Sequence, residues 1–321
     1  MGMHFLSNQK APKLPMNSDM NRTQIPTLAA IALGLLSLPS VARAQLEDLC
    51  PSPATECSIL CASTLFQWAD CPAEGGPPGW DEPLASDRPD FTEASVTVGR
   101  GVRQLEMGYT YLRDEAGGAS TTGHSFPEFL FRVGVLTDWL EMRVGWNFGS
   151  QNENFNPLTR TTSGSEDLYL GIKLGLTPQH GILPEMALMP QMTVPTGHDE
   201  FTSDKVLPGL NWLYGWDIND WLSTAGSTQA NLAVDGDSGD EFVEIAQSWT
   251  IGYTLTEKLG AYTEWFVISP AGADTVRTEH YLDGGFTYRV TNNLQLDVRA
   301  GKGISGPATD YFLGTGAVVR W

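Results

Sequence analysis

The chain predicts an all-β fold, a transmembrane up-and-down antiparallel β-barrel of about twelve strands, preceded by a short Cys-containing N-terminal segment. The first observation is a short mark that recurs after residue 135. It reads Leu136-Thr137-Asp138-Trp139-Leu140, Leu176-Thr177-Pro178-Gln179-His180-Gly181-Ile182, Ile218-Asn219-Asp220-Trp221-Leu222, Leu255-Thr256-Glu257-Lys258-Leu259 and Val290-Thr291-Asn292-Asn293-Leu294. Its intervals of 40, 42, 37 and 35 residues suit two strands, one tight turn and one longer loop. The second is that Gly-, Ser-, Asp- and Asn-rich stretches of uneven length lie between the marks, so short turns alternate with long polar loops. The third is the alternation of apolar and polar side chains along every intervening segment.

Residues 1–44 read as a signal peptide. The apolar run Ile25 to Leu38 follows Arg22, and Ala42-Arg43-Ala44 before Gln45 supplies a small-residue cleavage pattern. Met20-Asn21-Arg22 would open such a signal normally, which makes Met20 a candidate for the true start. No stretch near twenty apolar residues follows residue 45, so a helical membrane protein is excluded. Residues 45–85 read as a periplasmic Cys-containing segment that ends in the Pro/Gly linker Pro72–Gly79. All four cysteines, Cys50, Cys57, Cys61 and Cys71, fall there. An even count in an exported chain favours two disulfides, and their spacing does not suit a paired zinc site. A short helix over Ser58–Trp68 would put Cys57 and Cys61 on one face.

Without residues 1–44 the chain keeps 15 basic residues against 37 acidic ones, a net charge of −22. That excludes nucleic acid as a partner, because phosphate contacts need a positive surface. Acidic loops keep the chain hydrated in transit, and outside the cell they are compatible with divalent cations bridging to lipid headgroups.

Residues 86–101 form a charged lead-in, and the barrel occupies 102–321. The expected strands are 102–112, 125–136, 139–148, 166–176, 183–194, 207–217, 221–232, 242–254, 258–268, 279–290, 294–303 and 310–320. The expected outer loops are 113–124, 149–165, 195–206, 233–241, 269–278 and 304–309. An even strand count puts both termini on the periplasmic side. In the third strand Leu140, Met142, Val144, Trp146 and Phe148 oppose Glu141, Arg143, Gly145 and Asn147. In the eleventh, Leu294, Leu296, Val298 and Ala300 oppose Gln295, Asp297 and Arg299. A soluble barrel would show the same alternation, so the choice of membrane rests on aromatic edging and export. Tyr109, Tyr111, Trp146 and Phe148 approach the outer loops, while Trp216, Tyr253, Tyr288 and Trp321 approach the short turns, as two girdles at the water–lipid boundary. The last strand, Tyr311, Leu313, Thr315, Ala317, Val319 and Trp321, has the amphipathic aromatic ending by which barrel assembly machinery recognises its clients.

The charges on the polar face are the candidate lumen lining: Glu106, Glu128, Arg132, Glu141, Arg143, Lys173, Asp217, Glu244, Glu264, Asp283, Arg289, Asp297 and Arg299. Both signs occur, so pairing across strands is expected. Asp87, Arg88, Asp90 and Glu93 are candidate plug residues, expected to meet lumen charges such as Arg132, Arg143 or Arg299. A solvated lead-in is the alternative for that charge run. No catalytic residue, cofactor or metal is expected. His124 and Ser125 are neighbours that point to opposite faces and so cannot act together as base and nucleophile. His198-Asp199 lies in an outer loop beside Glu200 and Asp204, where a solvated loop is the better reading than a rim acid–base pair. Asp235-Gly236-Asp237-Ser238-Gly239-Asp240-Glu241 lacks the spacing and terminal bidentate Glu of a calcium loop.

Ser86-Asp87-Arg88-Pro89-Asp90-Phe91-Thr92-Glu93, followed by Gln104-Leu105-Glu106-Met107-Gly108-Tyr109-Thr110-Tyr111, resembles the opening of a bacterial outer-membrane family labelled as transporters of the MetA pathway of phenol degradation. Met189-Pro190-Gln191-Met192-Thr193-Val194-Pro195-Thr196-Gly197 is similar to that family's mid-barrel Pro-Thr-Gly strand end. The resemblance covers residues 86–321 and implies an outer-membrane transporter, without carrying over any ligand residue. The expectation is therefore an outer-membrane channel or transporter for small solutes, aromatic or hydrophobic ones among them, with membrane lipid and the assembly machinery as partners. The alternatives are a non-conducting structural or adhesion barrel and, behind it, a rim hydrolase.

Overall fold

The computed structural model describes residues 62–66, 75–155 and 157–321. The signal-peptide region 1–44 and all four cysteines lie outside the described residues. The strands are β1 Arg103–Ala116, β2 Ala119–Gly134, β3 Leu140–Asn154, β4 Thr159–Ser165, β5 Leu168–Thr177, β6 Glu185–Val194 and β7 Leu207–Asn219. They continue as β8 Leu222–Val234, β9 Glu241–Thr254, β10 Leu259–Ala271, β11 Glu279–Thr291, β12 Leu294–Gly303 and β13 Tyr311–Arg320. All pairings are antiparallel, and β13 returns to β1 in an unbroken register from Gln104↔Arg320 to Arg113↔Tyr311. β4 and β5 pair with the outer and inner halves of β3, Phe148↔Ser165 onward and Leu140↔Leu174 onward. They act as one stave interrupted at Glu166-Asp167, so the barrel has twelve staves and no open edge. Closure satisfies every ladder without water, the condition for crossing lipid with strands.

Two expected outer loops are mostly strand. β1 and β2 continue to a tight turn at Gly117 and Gly118, whose φ values of 59° and 84° suit a two-residue hairpin. β3 and β4 likewise extend through most of 149–165. These extensions are polar on both faces, so they carry no apolar alternation from which strand could be read. The helix expected over Ser58–Trp68 is not formed at 62–66. There Leu65 and Phe66 donate their backbone N–H groups to the carbonyls of Gly175 and Leu176, at 2.8 and 2.7 Å. The remaining outer segments, 195–206, 235–240, 272–278 and 304–310, are loops and turns.

The two faces of the wall differ sharply. Met107, Met142, Ile172, Leu210, Trp249, Ile251, Leu282, Phe286, Leu296, Val298 and Leu313 are exposed on the outside. Their strand neighbours Glu106, Arg143, Lys173, Asn211, Thr250, Asp283, Asp297 and Arg299 are buried on the inside. The outward-facing charges Arg103, Arg113, Glu115, Glu241 and Lys302 sit at strand ends. This inverted distribution fits a wall that meets acyl chains. A charge placed in the belt, as in Val298→Arg, should cost about 2–4 kcal/mol if the site lies at the bilayer midplane. Equilibrium unfolding in lipid bilayers measures it, with Val298→Ala as the reference.

Beyond the belt, Asp235 joins two outer loops. Its carboxylate accepts bonds from Thr275 Oγ1 at 2.6 Å and Thr275 N at 2.9 Å, and from Asp237 N at 3.0 Å. The bonds from Thr275 hold the carboxyl well below the usual carboxylate range. A depressed value contributes stability that is present above the unfolded value near 4 and is lost as pH falls through the folded value. Hydrogen exchange of amides in 235–240 and 272–278 should therefore stay protected down to about pH 4 and rise only in stronger acid.

Candidate functional site

The stretch 84–101 runs through the inside of the barrel. Leu84 N donates to Asn292 O at the turn between β11 and β12, and Arg100 bridges to Gly134 at the end of β2. Between these points it bonds to the inner faces of strands all round the wall. Ser86 and Asp87 N meet Glu106 on β1, and Arg88 meets Glu128 on β2 and Asp297 on β12. Phe91 N, Thr92 N and Thr92 Oγ1 donate to the Glu264 carboxylate on β10, and Val98 N donates to Glu141 on β3. Only a segment in the interior can reach partners on opposite walls.

Three of the four plug candidates, Asp87, Arg88 and Glu93, pair with lumen charges, and no ion pair is formed by Asp90 among the described residues. Asp87 is buried among three cations, 2.8 Å from Arg143, 2.9 Å from Lys173 and 3.2 Å from Arg132. Arg132 also meets Glu106 at 2.9 Å and Glu141 at 2.8 Å, and Arg143 meets Glu93 at 2.9 Å. Arg88 grips both oxygens of Asp297 at 3.2 Å and Glu128 at 3.0 Å. Its guanidinium lies over the cross-strand glycines Gly108 and Gly316, where a Cβ on either would collide with it. Arg299 donates to Pro89 O at 2.9 Å and to Thr110 Oγ1 at 2.8 Å. Asp90 is half-buried and lines a small polar cavity with Arg88, Glu93, Glu128, Asn147 and Arg299.

Of the strand charges, Glu106, Glu128, Arg132, Glu141, Arg143, Lys173, Glu244, Glu264, Asp283, Asp297 and Arg299 are buried. Arg289 is half-buried, and Asp217 is exposed at the short-turn end, beside a cavity against β6, β7 and β8. The structure adds residues that sequence reasoning missed. Gln104 donates to Ala85 O at 2.8 Å, and Arg320 ties down the linker through Pro78 O, Gly79 O and Glu82 O. Toward the outer end the interior turns apolar, with Leu112, Ala246, Phe266, Ile268, Tyr281, Ala308 and Phe312 in one cluster. Phe91 stacks on Phe266 at 4.6 Å between ring centroids, and Phe201, from the loop between β6 and β7, packs on the same cluster. That loop is drawn in by Asp167, which accepts from Gly197 N, Ser203 N and Ser203 Oγ at 3.0, 2.9 and 2.8 Å. The signal for the cluster was in the sequence. Phe266 and Ile268 share the face of Glu264, which breaks an otherwise polar inner alternation.

The fold and this interior define a class: a closed transmembrane barrel whose lumen holds part of its own N-terminal chain. The model of the family described as putative MetA-pathway of phenol degradation matches residues 86–321. The chain belongs to that family. Among solved structures, the COG4313 outer membrane channel from Pseudomonas putida F1 is similar at 14% identity and a TM-score of 0.55, covering 73% of this chain and 99% of that one. At that identity the likeness is one of fold. The translocator domain of the autotransporter NalP from Neisseria meningitidis aligns at 14% identity and a TM-score of 0.48, covering 70% of this chain and 89% of that one. No curated protein matches the chain.

Replacing Asp87 by alanine removes the carboxylate shared by Arg132, Arg143 and Lys173. Breaking a buried pair from one side costs about 3–5 kcal/mol. Trypsin cleavage after Arg100, which unlike Arg88 is not followed by proline, should then speed up in the bilayer-embedded protein by on the order of a hundredfold. An unchanged cleavage rate would mean that Asp87 does not hold the segment.

Proposed function

We propose that the protein is an outer-membrane channel or transporter for small solutes and that residues 86–101 are a plug that partly occludes its lumen. The observation that carries this reading is the set of bonds from one short segment to β1, β2, β3, β5, β10 and β12. A lead-in that merely preceded the first strand would have no reason to match its charges to so many walls. The lining charges serve two ends in this reading: they seat the plug, and they keep the lumen wet once it moves. The fold likeness to an outer membrane channel and the family membership support the same assignment.

The rest of the chain fits around that role. Residues 1–44 direct export, residues 45–85 remain in the periplasm with two disulfides among Cys50, Cys57, Cys61 and Cys71, and 102–321 form the conducting wall. The β13 ending Tyr311 to Trp321 is the recognition element for the assembly machinery. The protein is not an enzyme in this reading, and His198 and Asp199 belong to the inward-drawn loop rather than to a catalytic rim.

Single-channel recording in planar bilayers tests the plug. Deleting residues 45–93 should raise the unitary conductance several-fold, and an equal conductance for both chains overturns the plug. If neither chain conducts and neither swells liposomes, the non-conducting structural or adhesion reading takes its place.

A further inference from the structure

The segment is bound unevenly around the wall. Toward β2, β3, β5 and β12 it is fixed by ion pairs with Arg132, Arg143, Lys173, Glu128 and Asp297, and toward β1 by hydrogen bonds to Glu106. Toward β6, β7 and β8 its polar contacts among the described residues are two: Ser95 Oγ to Glu185 at 2.5 Å, and Asn211 Nδ2 to Glu93 at 3.4 Å. The inner face of β8 consists of Ser223, Ala225, Ser227, Gln229, Asn231 and Ala233, as its register with β7 and β9 sets it, and it carries no charge. Small residues here (Gly215 directly opposite Ala225, then Ser223) leave a cavity of about 490 Å³ between residues 94–96 and the wall, at the short-turn end.

Further along the same wall amides and hydroxyls share the inner face with the buried apolar side chains of Ala187, Met189 and Leu213. Gln191 donates to Asn231 at 2.8 Å and accepts from Tyr169 OH at 3.0 Å, while Ser227 and Ser248 share a bond of 2.8 Å. Asn211 lies opposite Gln229 and Met189, is 1% exposed, and its Oδ1 accepts no hydrogen bond from the protein. A buried amide oxygen without a donor is unusual, because such atoms are nearly always satisfied.

We propose that solute moves along this side of the lumen, between residues 93–96 and the inner face of β6–β8, and that the track takes neutral solutes bearing hydroxyl or amide donors in preference to ions. The inference rests on the channel reading above. Amides such as Asn211, Gln191 and Asn231 can exchange hydrogen bonds with a passing hydroxyl at little cost. An anion on the same path loses hydration beside these amides and meets the Glu93 carboxylate, so it is not repaid, and a salt cannot pass without its anion. At the short-turn end Glu185 and Asp217 further disfavour anions. The charged side of the lumen stays occupied by the ion pairs that hold the segment.

The test uses the full chain with Cys50, Cys57, Cys61 and Cys71 each replaced by serine, reconstituted in liposomes, with and without Ala225→Cys. Swelling is followed in arabinose and in potassium chloride of equal osmolarity, before and after benzyl methanethiosulfonate and again after dithiothreitol. The expected result is faster swelling in arabinose than in the salt. Modifying the introduced thiol should slow arabinose swelling at least fivefold, dithiothreitol should restore it, and the parent chain should not respond. A thiol that resists the reagent overturns the track, as does complete modification with unchanged swelling. Equal or faster swelling in the salt overturns the preference for neutral solutes. Swelling that appears only after residues 45–93 are deleted also overturns the track, since nothing would then pass the docked segment. No swelling by either the full or the shortened chain instead overturns the channel reading itself.

Discussion

The Asp87 carboxylate, buried against Arg132, Arg143 and Lys173, is the interaction on which the interior depends. A wall that meets lipid on the outside has to turn its charges inward, and a lumen of twelve staves is too wide for those charges all to meet across it. Arg132 and Arg143 face neighbouring positions on β2 and β3, directly opposite in register, where two like charges repel. Glu106 and Glu141 offset part of this, and Asp87 supplies the remainder from the segment inside the lumen. The segment is thus held by an electrostatic need of the wall, which is why its position follows the cations of β2, β3 and β5.

Arg88 works in the opposite sense on the neighbouring wall. Glu128 on β2 and Asp297 on β12 lie on the inner face across β1 and β13, and one guanidinium serves both. It fits because Gly108 and Gly316 face each other in the ladder without side chains. Lysine would lose the two-oxygen grip on Asp297, since a planar guanidinium matches a carboxylate and an ammonium does not. The segment therefore carries the complement of two inner surfaces of opposite sign in two consecutive residues.

The same interior is graded along its axis. Charges dominate near the short turns and at mid-height, and aromatic groups gather toward the outer loops. Phe91 from the N-terminal segment and Phe201 from the loop between β6 and β7 meet one apolar cluster from two directions. Around the circumference it is graded too, from the ion pairs of β1–β5 to the amides and small residues of β6–β8. Polarity, charge and width vary independently in such a barrel because each stave contributes only every second residue to the lumen.

Much of this was readable in the chain. The recurring turn marks and the period of two located all twelve of the wall's staves, since burial on one face and lipid on the other force strict alternation. The inward direction of Glu106, Arg132, Arg143, Asp297 and Arg299 followed from the same parity, and so did the outward direction of Val298 and Leu296. The polar extensions of β1 to β4 were not readable, because two wet faces leave no pattern. Nor was the meeting of Asp87 with Lys173, or of Arg88 with Asp297, 209 residues apart in sequence. Alternation is a local property that each strand carries by itself. Which strand stands beside which charge, and which side of the lumen is left without any, is decided only when the sheet closes and fixes every register at once.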